Sequence, residues 1–130
     1  MTYAEIKRFT LELIDRYSVA GETVSPAYNG QSDYIRRIPN LINSALAQIS
    51  PWEEPDRLPA DPPDAYELSA PFAWVQCACY YAAAYLVADE NEFLYSALMN
   101  EFEAFRARIP RVRARYTEIR EAYPRMGEVL

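Results

Sequence analysis

The sequence predicts an all-α fold: a bundle of four main helices plus a C-terminal amphipathic helix, with a long proline-rich acidic loop between helices 2 and 3. Two observations lead to this prediction. Apolar residues recur at helical spacing in four segments, and six of the ten prolines fall between residues 51 and 71. The length of 130 residues suits a single domain. We therefore expect a helical bundle over residues 1–109 and an arginine-rich helix or tail over residues 110–130.

The first helix is predicted to begin at Thr2. Thr2 and Glu5 have the spacing of a capping box, in which each side chain accepts a hydrogen bond from the other residue's backbone N–H. Gly21 marks the end of the helix, and a loop follows it. The predicted apolar stripe consists of Ile6, Phe9, Leu13, Ile14 and Tyr17.

The second helix is predicted to be capped by Ser32 or Asp33 and stopped by Pro51. Pro39 lies inside its apolar pattern, so we expect a kink or a split into two pieces there. The predicted stripe consists of Ile35, Ile38, Leu41, Ile42, Ala45, Leu46 and Ile49.

Residues 51–71 form the acidic loop, which carries six acidic residues and one base, Arg57. Its prolines exclude a helix interior, and short strand pieces are expected at 57–58 and 66–68. A loop of this length in a compact domain is usually functional or mobile. A plain connector and a binding surface remain equal alternatives.

The third and fourth helices are predicted to pack antiparallel. Ser69 is the expected cap of the third helix, with Pro71 in its first turn. This helix is apolar nearly all round, which predicts the central position in the bundle. Asp89 and Glu92 suggest a second capping box after a very short turn. The expected core residues here include Trp74, Tyr81, Tyr85 and Leu98, and the fourth stripe consists of Phe93, Leu94, Leu98, Phe102, Phe105 and Ile109.

Beyond Pro110, the C-terminal segment (residues 110–130) has a further apolar stripe of Val112, Tyr116, Ile119 and Tyr123. The charge reverses here: residues 1–105 carry six bases and sixteen acids, whereas residues 106–130 carry seven arginines and three glutamates. The arginines suit a solvated helix face, a dock for an acidic protein surface, or phosphate contacts. The candidate interaction residues are Arg106, Arg108, Arg111, Arg113, Arg115 and Arg120 on the basic side, and Glu53, Glu54, Asp56, Asp61 and Asp64 on the acidic side.

Catalytic and metal sites are not expected. The chain has no histidine, the commonest general base and metal ligand, and three glycines do not build a phosphate-binding loop. Cys77 and Cys79 are two residues apart on a helix and point to different sides, which indicates buried thiols in a reducing compartment. No signal-peptide or membrane-spanning pattern is evident, so no membrane partner is expected.

The order of these pieces resembles the small helical head–tail connector (adaptor) proteins of tailed bacteriophages and prophages. The resemblance spans most of residues 3–109 and rests on YAEIKRFTLELIDRYSVAGE, SDYIRRIPNLINSALAQIS, the loop ending AYELSAPF, and AAAYLVADENEFLYSALMNEFEAFRARI. The proline of the loop's end, Pro71, is displaced relative to the family pattern.

The resemblance implies a structural virion subunit that forms a ring beneath the portal and joins the head to the tail. Its implied partners are further copies of the chain, the portal protein and a tail-side connector protein, and its implied locations are the virion and, during assembly, the host bacterial cytoplasm. It implies no catalysis and no cofactor. The alternative from the residues is a helical regulatory domain that binds nucleic acid through its arginine-rich C-terminal segment.

Overall fold

The computed structural model describes residues 1–17, 31–50 and 56–109. Four helices make up this part of the chain: α1 (Tyr3–Tyr17), α2 (Gln31–Ile49), α3 (Phe72–Val87) and α4 (Glu92–Arg108). No strand occurs within these three ranges, so the all-helical class and the four main helices are confirmed. The predicted C-terminal helix, and residues 51–55 of the acidic loop, lie outside the described residues.

Helix α3 is the centre of the bundle, as predicted. It packs against each of the other three helices, and ten of its sixteen residues are buried. Four of the ten are alanines, whose small side chains let neighbouring helix backbones approach closely. Because α3 carries apolar residues on all sides, the other helices of the bundle cover its surface and shield it from solvent.

The first capping box is confirmed. The Thr2 backbone N–H donates to Glu5 Oε1 at 2.9 Å, and the Glu5 N–H donates to Thr2 Oγ1 at 3.2 Å. These two bonds satisfy donors that the first helical turn leaves without a partner. The Thr2 backbone N–H, and next the Thr2 hydroxyl, which donates to the same carboxylate oxygen at 3.0 Å, hold the pKa of the Glu5 carboxyl below its ordinary value.

Helix α2 runs through Pro39 as one helix, so the predicted split is wrong. Proline has no N–H, so the carbonyl four residues earlier, that of Ile35, lacks its helical donor. The Tyr3 hydroxyl on α1 donates to this carbonyl at 3.3 Å. A tertiary hydrogen bond therefore replaces the one that the proline removes.

The start of α2 also differs from the prediction, because the helix begins at Gln31 and both Ser32 and Asp33 lie in its first turn. Near this start α2 is tied to the far end of α3. The buried Tyr34 hydroxyl donates to Glu90 Oε2 at 2.5 Å, and the Arg37 guanidinium donates to the Tyr85 carbonyl at 3.1 Å. Burial, and next the bond to Glu90, raises the pKa of Tyr34.

The predicted caps of α3 and α4 are both wrong. The residue before α3 is Pro71, with no side-chain cap bond, and the backbone N–H of Ser69 instead donates to Asp56 Oδ2 at 3.1 Å. Helix α4 is capped by Asn91, whose Oδ1 accepts from the Leu94 N–H at 2.9 Å. The four-residue turn from 88 to 91 places the start of α4 two residues later than an Asp89 cap requires.

Helices α3 and α4 pack antiparallel, as their ring contacts show. Tyr85 contacts Tyr95 near the turn, and Tyr81 contacts Phe102 further from it, with ring centroids 5.6 and 5.2 Å apart. Of the expected core residues, Tyr81 and Leu98 are buried, whereas Trp74 and Tyr85 are only partly buried. Phe93 is 71% exposed, because the buried face of α4 follows Leu94, Leu98 and Phe102.

Candidate functional site

The described part of the acidic loop is held on the bundle by one side-chain amide. Asn43 of α2 donates through Nδ2 to the Leu58 carbonyl and accepts through Oδ1 from the Leu58 N–H, each at 2.9 Å. The Leu58 side chain is buried in the core. The Asn43 amide bonds both the N–H and the carbonyl of Leu58, as a neighbouring β-strand would. The strand piece expected at 57–58 is therefore wrong, because the Leu58 backbone pairs with a helix side chain and not with another strand.

Asp56 closes the loop from within. Its carboxylate accepts from the backbone N–H groups of Arg57 at 3.0 Å and Ser69 at 3.1 Å. The Tyr66 hydroxyl donates to the Arg57 carbonyl at 3.1 Å and closes the same loop a second time. These bonds bring residues 56–57 beside residues 66–69 and give the loop a defined path.

The end of the loop pairs with the start of the chain. The Tyr3 N–H donates to the Tyr66 carbonyl at 2.9 Å, and the Leu68 N–H donates to the Met1 carbonyl at 3.0 Å. The result is an isolated antiparallel bridge between Thr2 and Glu67. The extended piece expected at 66–68 is thus present as a bridge, not as a strand.

A cleft of about 550 Å³ lies between the loop and helices α1 and α2. Lys7 Nζ is 2.6 Å from Asp64 Oδ1 and 4.9 Å from the centre of the Tyr3 ring. Burial, and next the negative charges of Asp61 and Asp64, raises the pKa of Tyr3. The lining consists of Tyr3, Lys7, Ile35, Arg36, Pro39 and residues 60–64.

The structure places three of the five candidate acidic residues, and it gives them different surroundings. Asp56 is exposed but bonds the loop backbone, and Asp64 pairs with Lys7. Asp61 is exposed, and no cation of the described chain lies within ion-pairing distance of it. Glu53 and Glu54 lie outside the described residues. Among the three placed acids, Asp61 is the one open to an incoming cation.

Two of the candidate arginines lie on the last turn of α4. Arg106 pairs with Glu103 at 2.6 Å, and its guanidinium carbon is 5.5 Å from the centre of the Phe102 ring. The guanidinium carbon of Arg108 lies 5.6 Å from the centre of the Phe105 ring. Both guanidinium groups therefore lie against side chains of α4 itself. The other four, Arg111, Arg113, Arg115 and Arg120, lie outside the described residues.

An aromatic row, which the sequence analysis did not single out, crosses three helices. Its members are Phe9 of α1, Tyr80 of α3 and Phe105 of α4, with ring centroids 6.1 Å and 5.9 Å apart. All three side chains are only partly buried. Spacing places each residue on an apolar stripe, but it does not show that the three stripes meet at one surface.

The two cysteines are free and buried, as predicted. Burial raises the pKa of each thiol to about 12, so neither is a nucleophile near neutral pH. Over residues 1–17, 31–50 and 56–109, no group of three His, Cys, Asp or Glu side chains is placed to hold a metal ion. None of the described helices is long and apolar enough to cross a membrane.

The described surface therefore offers an ordered acidic loop, a cleft with one unpaired carboxylate, and an aromatic row that ends near the two α4 arginines. No protein-family model, curated protein or solved structure matches this chain.

Proposed function

We propose that the chain is a structural subunit of a tailed-bacteriophage head–tail connector, which assembles as a ring beneath the portal and joins the head to the tail. The observation that carries the proposal is the charge reversal within one chain. Residues 1–105 have a net charge of −10 and residues 106–130 a net charge of +4. Identical subunits with one acidic and one basic surface attract each other head to tail, and such a contact closes into a ring when its rotation permits.

The contact joins the C-terminal arginines of one subunit to the acidic loop of the next subunit. A receiving surface needs a fixed shape, because ordering a mobile loop costs free energy on binding. The loop has such a shape over residues 56–71, where Asn43, Asp56 and Tyr66 hold its backbone. Asp61 offers the incoming guanidinium an unpaired carboxylate. The acidic rim of a portal is a second partner for the same arginines.

The test compares two full-length variants that lose the same charge. One replaces two C-terminal arginines, Arg113 and Arg120, with glutamine. The matched control replaces two exposed arginines of α1, Arg8 and Arg16, which lie outside the acidic loop and the cleft, with glutamine. Native mass spectrometry and electron microscopy measure ring formation at low and high salt, with and without the portal ring of the same virus.

We expect rings from the unmodified chain and the control, and none from the C-terminal variant. Rings should weaken as salt rises, because exposed pairs are screened. Truncation after Ile109 should likewise leave a folded monomer that joins neither a ring nor a portal. A chain that stays monomeric under all conditions refutes the proposal. A salt-dependent shift of duplex DNA, lost only in the C-terminal variant and without rings, favours the nucleic-acid alternative.

A further inference from the structure

The cleft between the acidic loop and helices α1 and α2 has the size of a small-ligand site. Its volume of about 550 Å³ falls within the roughly 300–1,000 Å³ that such sites occupy. The lining combines apolar side chains, three of them prolines, with four charged ones, which are Lys7, Arg36, Asp61 and Asp64. A ligand that fills the cleft therefore needs an apolar part and a charged part. The sign of its charge depends on which of the four charged side chains are already paired.

Both cations of the lining are paired within the chain. Lys7 Nζ is 2.6 Å from Asp64 Oδ1. Arg36 forms an ion pair with Asp33 on its own helix, and the neighbouring Arg37 shares that carboxylate at 3.7 Å while it bonds a carbonyl of α3 at 3.1 Å. An anionic ligand would therefore have to displace a carboxylate from one of these pairs.

Asp61 is the charged side chain of the lining that has no ion pair in the described chain. No cation of residues 1–17, 31–50 and 56–109 lies within ion-pairing distance of its carboxylate. Tyr3 lines the same cleft, and after burial the charges of Asp61 and Asp64 raise the pKa of Tyr3. They do so although Lys7 Nζ lies 4.9 Å from the centre of the Tyr3 ring. The cleft therefore attracts a cation more than an anion.

The backbone holds Asp61 in place before any ligand arrives. The side chains of Leu58 and Pro62, which lie on either side of Asp61 in the sequence, are buried. The Ala4 N–H of α1 donates to the Asp64 carbonyl at 3.1 Å and fixes the far end of this stretch. Because the loop need not be ordered when a ligand binds, its carboxylate engages that ligand at a lower cost in free energy.

We infer that the cleft is a receptor for one arginine side chain of a protein partner, with the guanidinium paired to Asp61 and the aliphatic stem packed on the prolines of the lining. Arginine suits both parts of the cleft. Its guanidinium forms forked hydrogen bonds with a carboxylate, and its stem covers apolar surface. The inference rests on the proposed function only for the source of this arginine, which is the C-terminal segment of the next subunit.

Small probes test the cleft without a partner protein. The probes are N-acetyl-arginine methylamide and N-acetyl-citrulline methylamide, which have nearly the same shape but differ in charge. Ligand-observed NMR measures their binding to the full-length chain at low micromolar protein, where neighbouring copies compete little. Two variants are compared with the unmodified chain: Asp61→Asn and the matched control Asp15→Asn, which removes an exposed carboxylate of α1 outside the cleft.

We expect the arginine probe to bind several-fold more tightly than the citrulline probe. Asp61→Asn should abolish this preference, and Asp15→Asn should retain it. Equal binding of the two probes by the unmodified chain overturns the inference, and so does a preference that survives in Asp61→Asn. A capped glutamate that binds more tightly than the arginine probe also overturns it, because this result assigns the cleft to anions.

Removal of the internal cation is a second test of the sign of the cleft. Lys7→Met keeps an unbranched side chain at this position and frees the Asp64 carboxylate. The arginine probe should then bind several-fold more tightly than it binds the unmodified chain, and the citrulline probe about as before. Unchanged or weaker binding of the arginine probe contradicts the inference.

Ring assembly separates this inference from the proposed function. If the unmodified chain prefers the arginine probe but forms no rings, the proposed function fails and the cleft keeps its ligand class. If Asp61→Asn and Asp15→Asn form rings equally well, the proposed function stands and the inference fails, because the arginine of the next subunit does not use the cleft.

Discussion

Replacing Asn43 with alanine should release the acidic loop from the bundle. The amide of Asn43 provides both a donor and an acceptor for the backbone of Leu58, at 2.9 Å each. Alanine leaves the Leu58 N–H and carbonyl without partners in a partly buried place. Such groups either remain unsatisfied or reach water by moving the loop.

The expected loss of stability equals the free-energy cost of whichever outcome costs less. Two unsatisfied backbone groups cost about 2–6 kcal/mol, at about 1–3 kcal/mol each. Undocking the Leu58 side chain costs about 1.5–3 kcal/mol and lets both groups bond water. The loop therefore undocks, and the free energy of unfolding should fall by about 1.5–3 kcal/mol.

Asn40→Ala is the matched control, because Asn40 is exposed on the same helix. Both substitutions gain up to about 0.7 kcal/mol of helix propensity, so their difference isolates the contact with Leu58. Urea unfolding gives the free energies, and amide hydrogen exchange reports the Leu58 N–H. Equal stability of the two variants, with slow exchange at Leu58 in both, would refute the reasoning.

Three further outcomes are expected. Leu98→Ala should lower the free energy of unfolding by about 2–5 kcal/mol in urea titrations, because its side chain is fully buried. Both thiols, Cys77 and Cys79, should resist a thiol reagent until the chain unfolds. Because the folded pKa of each is about 12, the unfolded thiols ionise first, and stability should fall as pH rises from about 9 towards 12. Glu5→Ala should lower the urea midpoint at neutral pH only. Because the folded pKa of the Glu5 carboxyl is lowered, the stability that this carboxylate contributes is lost as pH falls through that pKa. The urea midpoints of the variant and the unmodified chain should therefore become equal in acid.

The features that the sequence predicted correctly are local or depend on simple burial. The Thr2–Glu5 box needs only residues three apart, and its two bonds form as expected. The central place of α3 follows from its apolar surface. A helix that is apolar on all sides has to be covered on all sides, and only a central position in the bundle provides that cover. The thiol burial at Cys77 and Cys79 follows from the same helix.

The wrong predictions arise where tertiary contacts decide. Ser69 has good capping chemistry, but its N–H is taken by Asp56 thirteen residues earlier. Asn91 and Asp89 are both good caps, and the four-residue turn selects Asn91. Phe93 fits the helical period, yet Leu94 beside it points into the core, and the rotation of about 100° between the two residues puts Phe93 outside the buried face of Leu94, Leu98 and Phe102.

The candidate site shows the same limit. Charge counts predicted a basic end and an acidic loop, but not that Asp56 and Asp64 would bond within the chain and leave Asp61 open. The aromatic row was hidden for a related reason. Its three members lie on three helices, and only the packing of those helices shows that they meet.

The hydrogen bond from the Tyr3 hydroxyl to the Ile35 carbonyl has an evolutionary consequence. While position 39 is proline, the hydroxyl at position 3 supplies a donor that the helix lacks. With any other residue at 39, the helix provides that donor itself, and phenylalanine would serve at position 3. The two positions should therefore change together in descendants of this sequence: tyrosine is retained where proline persists, and it is free to drift once proline is lost. Tyr3→Phe should accordingly be harmful in this chain and nearly neutral beside Pro39→Ala.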